Sequence, residues 1–174
     1  MLTACQSTPT SRPEAVATAP KTAPAAAAAP AGASASSNEI IVDDRDPGLK
    51  SEGEWTLGEG GADFKGGTLW AVGTSAGAPA STATWTPDIK IAGMYEVYEW
   101  HGDDPNADHA SNAPFTVKSD DGTRTILVNL RNNTGKWNLL GTFKFAAGKG
   151  GNVSVSSKAD GNVLADAVKF VPHQ

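Results

Sequence analysis

From residue 39 onward, turn residues cut the chain into short stretches in which apolar and polar side chains alternate. That period of two constrains the fold more than any other feature of the sequence. The runs span 39–43, 54–57, 68–72, 81–86, 94–101, 115–119, 123–130, 137–145, 152–156 and 163–171. Between them lie turn signals such as Asp46-Pro47-Gly48, Asp121-Gly122 and Asp160-Gly161-Asn162, each built from residues that favour tight turns. Asp121-Gly122 between two β-prone runs predicts a hairpin. No segment keeps a helical period between caps. The expectation is an all-β sandwich or jelly roll.

Composition confines that fold to one part of the chain. Residues 1–38 hold 13 Ala, 5 Pro, 5 Ser and 5 Thr and no aromatic, whereas residues 39–174 hold all 12 aromatics and 18 of the 19 Gly. The division read from this is 1–5, 6–38 and 39–174, with a single globular domain in the last part. That domain carries 12 Lys+Arg against 18 Asp+Glu. Without a basic cluster this charge repels a phosphate backbone, so a nucleic-acid partner is not expected. No run of ~18 apolar residues offers a spanning helix. The lone cysteine, Cys5, excludes an internal disulfide and a cysteine zinc site.

Within residues 6–38, Pro9, Pro13, Pro20, Pro24 and Pro30 interrupt the alanines every few residues. No helix can propagate between them, and a disordered tether is expected. Just ahead of it, Leu2-Thr3-Ala4-Cys5 resembles the lipobox of bacterial lipoproteins, in which the cysteine becomes a lipidated N-terminus. A full signal has basic and apolar residues before that box, and here Met1 alone precedes it. Two readings stay open: lipidation of Cys5, with anchoring to a bacterial membrane, or a free cysteine in a tail.

The alternation assigns faces. Along 95–101, Tyr95, Val97, Glu99 and His101 share one face, and Glu96, Tyr98 and Trp100 share the other. Neither is cleanly apolar, which suits a strand that lines a groove. In 137–145, period two groups Trp137, Leu139, Phe143 and Phe145 as the core face. In 163–171, Asp166 falls between Leu164 and Val168. It is expected to point inward, where it needs a donor or a cation.

Several blocks resemble the golvesin C-terminal domain, also described as the golvesin/xanthan-lyase carbohydrate-binding-like domain. They are IIVDDRDPG (40–48), TATWTPDIKIAGMYEVYEW (82–100), SNAPFTV (111–117), GKWNLLGTFKFAAG (135–148) and NVLADAVKFV (162–171). The resemblance implies a galactose-binding-like jelly-roll β-sandwich appended to secreted or surface proteins, and carbohydrate binding as the family's associated role. The loop HGDDPNADHAS (101–111) departs from the family in being acidic and His-bearing.

The polar and aromatic residues suit binding rather than catalysis. Gly73-Thr74-Ser75-Ala76-Gly77 matches G-x-S-x-G, but Pro79 and a β-prone run follow where a hydrolase elbow needs a helix. No enzyme is expected. Asp43 and Asp46 near the end of the first run, with Asp166, form a candidate Ca²⁺ set, because calcium takes several carboxylate and carbonyl oxygens. The other reading has Asp43 and Asp46 capping the Pro47-Gly48 turn and Asp166 accepting backbone or arginine donors. His101, Asp103, Asp104, Asp108 and His109 form a second candidate, of a type suited to transition metals. For a sugar, Tyr98 and Trp100 offer ring faces, and Glu96, Asn112 and Arg131 offer hydrogen bonds. Trp55 and Trp70 are reserves, and Trp85 and Trp137 are expected in the core. The expected function is a non-catalytic module of a bacterial cell-envelope lipoprotein that binds polysaccharide or an envelope glycan. The alternative is a module that binds an envelope protein partner and no sugar.

Overall fold

The computed structural model describes residues 38–74, 77–103 and 107–173. The chain divides into two units, Met1–Ala33 and Ser34–Gln174, and the first lies outside the described residues, as do Cys5 and the whole arm to residue 37. Twelve strands occur among the described residues, and no helix. They are β1 (Ile40–Val42), β2 (Leu49–Glu52), β3 (Thr56–Gly58), β4 (Thr68–Ala71), β5 (Thr82–Trp85), β6 (Gly93–Trp100), β7 (Ala113–Ser119), β8 (Gly122–Val128), β9 (Trp137–Phe145), β10 (Asn152–Ser156), β11 (Val163–Ala165) and β12 (Ala167–Pro172).

These form a four-stranded sheet β1-β12-β6-β9, a five-stranded sheet β2-β5-β10-β7-β8 and a small sheet β11-β4-β3. The all-β sandwich expected from the alternation is the observed fold. Val97, Phe143, Phe145, Val168 and Phe170 of the first sheet meet Ala83, Trp85, Phe115, Val117, Val153 and Val155 of the second in one buried cluster. Burying each large apolar side chain contributes roughly 1.5–3 kcal/mol. The rings interlock: Trp85 stacks on Phe115 at 6.2 Å, and Phe145 meets Tyr95 and Phe170 edge-on at 6.0 and 5.5 Å. Trp85 is in the core, as the sequence led us to expect.

Three local departures reshape the surface. The first is a bulge. Val97 pairs with Gly141 but Tyr98 pairs with Leu139, so Leu140 is an extra residue in β9. A bulge reverses the parity of every residue beyond it. Phe143 and Phe145 stay inward, but Leu140 takes the buried place and Leu139 becomes 56% exposed. Trp137 moves to the outer face, opposite Trp100, so the expectation that Trp137 and Leu139 line the core is corrected. Gly141 has φ 148°, and a Cβ there would lie 3.1 Å from the Phe143 ring, which makes glycine the residue for this position.

The second departure breaks the run 163–171 at Asp166. β11 pairs with β4 in the small sheet, while β12 pairs with β1 and β6. Residues 163–168 are all buried, so the run never had one solvent side to set a single face. The third is β2, Leu49-Lys50-Ser51-Glu52, which has no apolar alternation and is half-buried only at Leu49. It pairs with β5 alone, and its charges suit an edge that should not recruit another strand.

Candidate functional site

The strand junctions gather three carboxylates. β1 runs into Asp43-Asp44, and the break between β11 and β12 presents Asp166 beside them. One oxygen from each of Asp43, Asp44 and Asp166 lies within 4.8 Å of the others. Asp43 is 3% exposed and Asp166 1%. Among the described residues, Asp43 Oδ1, both oxygens of Asp44 and Asp166 Oδ1 are buried and accept no hydrogen bond. Asp166 Oδ2 accepts the Phe64 N–H at 2.9 Å, and Lys65 Nζ stands 3.9 Å from Asp43 Oδ2. Burial pushes the Asp166 carboxyl up to about 8, with Asp63, Asp43 and Asp44 adding repulsion against the stabilising Phe64 N–H. Burial also raises Asp43 and Asp44. An unpaired buried acid is costly. Oxygens under 5 Å apart can share one ion at the 2.3–2.6 Å bonds calcium makes, so this donor set fits a divalent cation.

Asp46 does a different job. Its Oδ2 accepts the Asp43 N–H at 2.9 Å, and its own N–H donates to the Asp43 carbonyl at 3.1 Å. Its side chain thus closes the Asp43–Asp46 turn, while the Leu49 N–H on the Asp46 carbonyl at 2.9 Å closes the Pro47-Gly48 turn; Asp44, not Asp46, stands with Asp43 and Asp166. Alternation could not separate these neighbours, because a tight turn obeys no period.

The outer face of the four-stranded sheet holds the aromatic residues. Tyr98 and Trp100 project from β6 on the side opposite Val97 and Glu99, and the bulge brings Trp137 beside them. Trp100 meets Trp137 at 5.3 Å, and Phe64 packs on both at 5.5 and 5.0 Å. Trp100 Nε1 donates to the Ala62 carbonyl at 2.9 Å. Lys169 of β12 lies 5.2 Å from the Tyr98 ring centre and 4.7 Å from that of Trp137, and reaches toward Glu39 at 3.8 Å. Tyr98 donates its hydroxyl to Glu96 Oε2 at 2.7 Å. Burial, then the bond and charge of Glu96, push its phenol up to about 12, so it remains a donor. The result is a strip of half-buried rings with a cation, a carboxylate and exposed Leu139 at its edges.

Asn112 and Arg131 are spent elsewhere. Asn112 Oδ1 accepts the Asp160 N–H at 2.9 Å. Arg131 donates from Nε to the His109 carbonyl at 2.6 Å and from a terminal nitrogen to Asp108 Oδ1 at 3.2 Å. They brace loops and present no polar atom to the strip through these bonds. Among the reserves, Trp55 Nε1 donates to the Glu52 carbonyl at 3.1 Å.

Among the described residues, the members of the set His101–His109 do not assemble as one metal site. His101 is buried beside fully buried Glu99, with Nδ1 at 3.0 Å from the carboxylate and Nε2 at 3.0 Å from the Asn132 carbonyl. A carbonyl only accepts, so Nε2 carries a proton, and the other nitrogen shares one with Glu99. Both ring nitrogens are therefore used inside the sandwich. His109 is buried, Asp103 and Asp108 are exposed, and Asp104 lies outside the described residues. Ser75 of the G-x-S-x-G match also lies outside them.

The family comparison agrees with this architecture. The golvesin C-terminal domain matches residues 40–172. The chain belongs to that family. A xanthan lyase from Bacillus sp. (strain GL1) is 36% identical over 137 residues, which are 76% of this chain and 14% of that protein. The solved Paenibacillus xanthan lyase superposes with a TM-score of 0.71 at 34% identity, over 78% of this chain and 13% of that one. This golvesin-family chain thus spans about a seventh of the xanthan lyase length. The C-terminal CBM6 of the laminarinase LamC from Zobellia galactanivorans matches 77% of this chain and 99% of its own length, with a TM-score of 0.50 at 13% identity. That likeness concerns the fold, a carbohydrate-binding-module type of jelly roll.

Proposed function

We propose that the domain is a non-catalytic module that holds a polysaccharide chain on the outer strip of β6 and β9. The observation that carries this reading is the convergence of Tyr98, Trp100 and Trp137 on one sheet face with Lys169 and Glu96 beside them. Ring faces pack on the C–H faces of pyranose rings, while the flanking charged groups bond hydroxyls. The Ala62 carbonyl ties down the Trp100 indole N–H, so Tyr98 and Trp137 are the contact rings in this reading. Kinship with xanthan lyase supports a glycan ligand and a secreted setting. A lipid on Cys5 would tether the module to a bacterial envelope, where two acyl chains hold and one is marginal. Tethering would raise the effective concentration of a weak, shallow site.

The test is affinity electrophoresis in gels with and without polysaccharide. Tyr98→Ala/Trp137→Ala is expected to lose retardation while keeping the near-ultraviolet signature of the Trp85–Phe115 core. Equal retardation of variant and wild type overturns the strip as the site.

In the same reading Asp43, Asp44 and Asp166 hold one Ca²⁺ with a structural role. Supporting it are the unpaired oxygens of the cluster. Calcium would neutralise the acids and fix the junction of β1, β11 and β12, with no part in bond making. A melting temperature indifferent to both calcium and chelator removes the ion from the account.

A further inference from the structure

A concave site of another kind opens beside the β3–β4 hairpin. Trp70 of β4 forms a wall of a cavity of about 240 Å³, with Glu59, Asp63, Asp103 and His109 around it. This is under the ~300 Å³ at which pockets for drug-sized ligands begin, and suits a single sugar ring. The frame is pinned. Gly61 and Asp103 exchange backbone hydrogen bonds at 3.0 and 2.7 Å, and Asp63 Oδ2 accepts the Gly60 N–H at 2.5 Å. Gly58 leaves the indole edge open: a Cβ there would stand 3.1 Å from Trp70 Cδ1 and 3.6 Å from Nε1.

Two features define what would enter. The indoles of Trp55, Trp85 and Trp100 each donate to a backbone carbonyl. Among the described residues, no acceptor stands against Nε1–H of Trp70. Among the described residues, the cavity lining includes three acids and no Lys or Arg. A uronic acid would meet like charge there. A neutral sugar would meet an excess of acceptors. A ring with an ammonium group would bond Glu59 and Asp103, rest a C–H face on the indole and accept its N–H through a hydroxyl oxygen. The same indole also borders a second hollow lined by Glu54, Thr56 and Pro79, where the next unit of a chain could continue.

We propose that this cleft is a second binding site, separate from the aromatic strip, for a glycan whose sugars carry free amino groups. The probes are glucosamine oligomers, neutral cello-oligomers and polygalacturonate, each titrated calorimetrically into the full chain. Binding of the glucosamine oligomer alone or most tightly is expected. Glu59→Gln/Asp103→Asn changes exposed, isosteric side chains, and loss of two charge-assisted bonds weakens affinity about tenfold or more. Gly58→Val is expected to weaken it by closing the indole edge. Asp120→Asn/Asp121→Asn removes the same charge from an exposed turn and is expected to change nothing, which excludes mere attraction to an acidic protein. Tyr98→Ala/Trp137→Ala is expected to leave glucosamine binding intact, so this site and the strip can fail separately. In Tyr98→Ala/Trp137→Ala, where the strip is removed, equal or tighter binding of the neutral or acidic probe overturns the proposal, as does glucosamine affinity unchanged in Glu59→Gln/Asp103→Asn.

Discussion

Two buried acidic centres sit in one sandwich and differ in a single respect. Glu99 faces His101, whose other nitrogen bonds the Asn132 carbonyl, so each imidazole nitrogen and the carboxylate have partners. Asp43, Asp44 and Asp166 converge just as closely, yet four of their oxygens accept nothing within the described residues. The first centre is closed by the protein's own groups and reads as architecture. The second has Lys65 at 3.9 Å, the Phe64 N–H, the Arg45 charge and neighbouring backbone N–H groups to offset its acids, yet burial still raises all three carboxyls, which is why we propose it as a seat for a cation. Burial alone does not mark a functional site. Burial without partners does.

Substitutions should separate the two centres. The largest effect is expected from His101→Ala, which strands Glu99 in the interior. Breaking a buried pair costs about 3–5 kcal/mol, read as a lower urea midpoint, and calcium should not restore it. A midpoint within error of wild type would show that the pair is not closed as described.

The next effect concerns pH. In the cation-free protein Asp166 keeps its proton up to about 8, whereas the unfolded chain releases it near 3.9. Between those values the native state holds the extra proton, so stability falls as pH rises from about 4 to about 8. Asp166→Asn should flatten that slope in thermal melts run with chelator. A slope of the same size in the variant would assign it to other groups.

Calcium should act in the opposite direction at neutral pH. At 100 times its dissociation constant a ligand specific to the native state adds about 2.7 kcal/mol, and Asp166→Asn and Asp44→Asn should each abolish that gain. The smallest effect is expected from Asp46→Ala. It loses one turn hydrogen bond, about 0.5–1.5 kcal/mol, and keeps the calcium response. Abolition of that response in Asp46→Ala would move Asp46 into the cation site.

Alternation disclosed most of the strands, missed β2, which has none, and hid the places where parity changes. Alternation located β5, β6, β7, β9 and β10 because each has one buried face. It misplaced Trp137 and Leu139 because the bulge at Leu140 reverses their sides, and a bulge has no signature in apolar pattern alone. Gly141 was the one available sign. It merged β11 with β12 because residues 163–168 are buried on both faces, which leaves no alternation to break. Tyr98 and Trp100 were legible as a pair from spacing in a single strand. Their third partner needed the β6–β9 register, and Phe64 needed the long-range bond from its N–H to Asp166. The cleft at Trp70 was the least legible, because its acids come from segments far apart in the chain.

The five tryptophans offer the most direct test of the glycan-binding claim. In a nitrogen-15 spectrum each indole N–H is a separate reporter, and a soluble oligosaccharide can be titrated against all of them at once. The account predicts movement of the Trp137 and Trp100 signals with the Trp85 signal fixed. Saturating oligosaccharide that leaves Trp137 and Trp100 unmoved would contradict it.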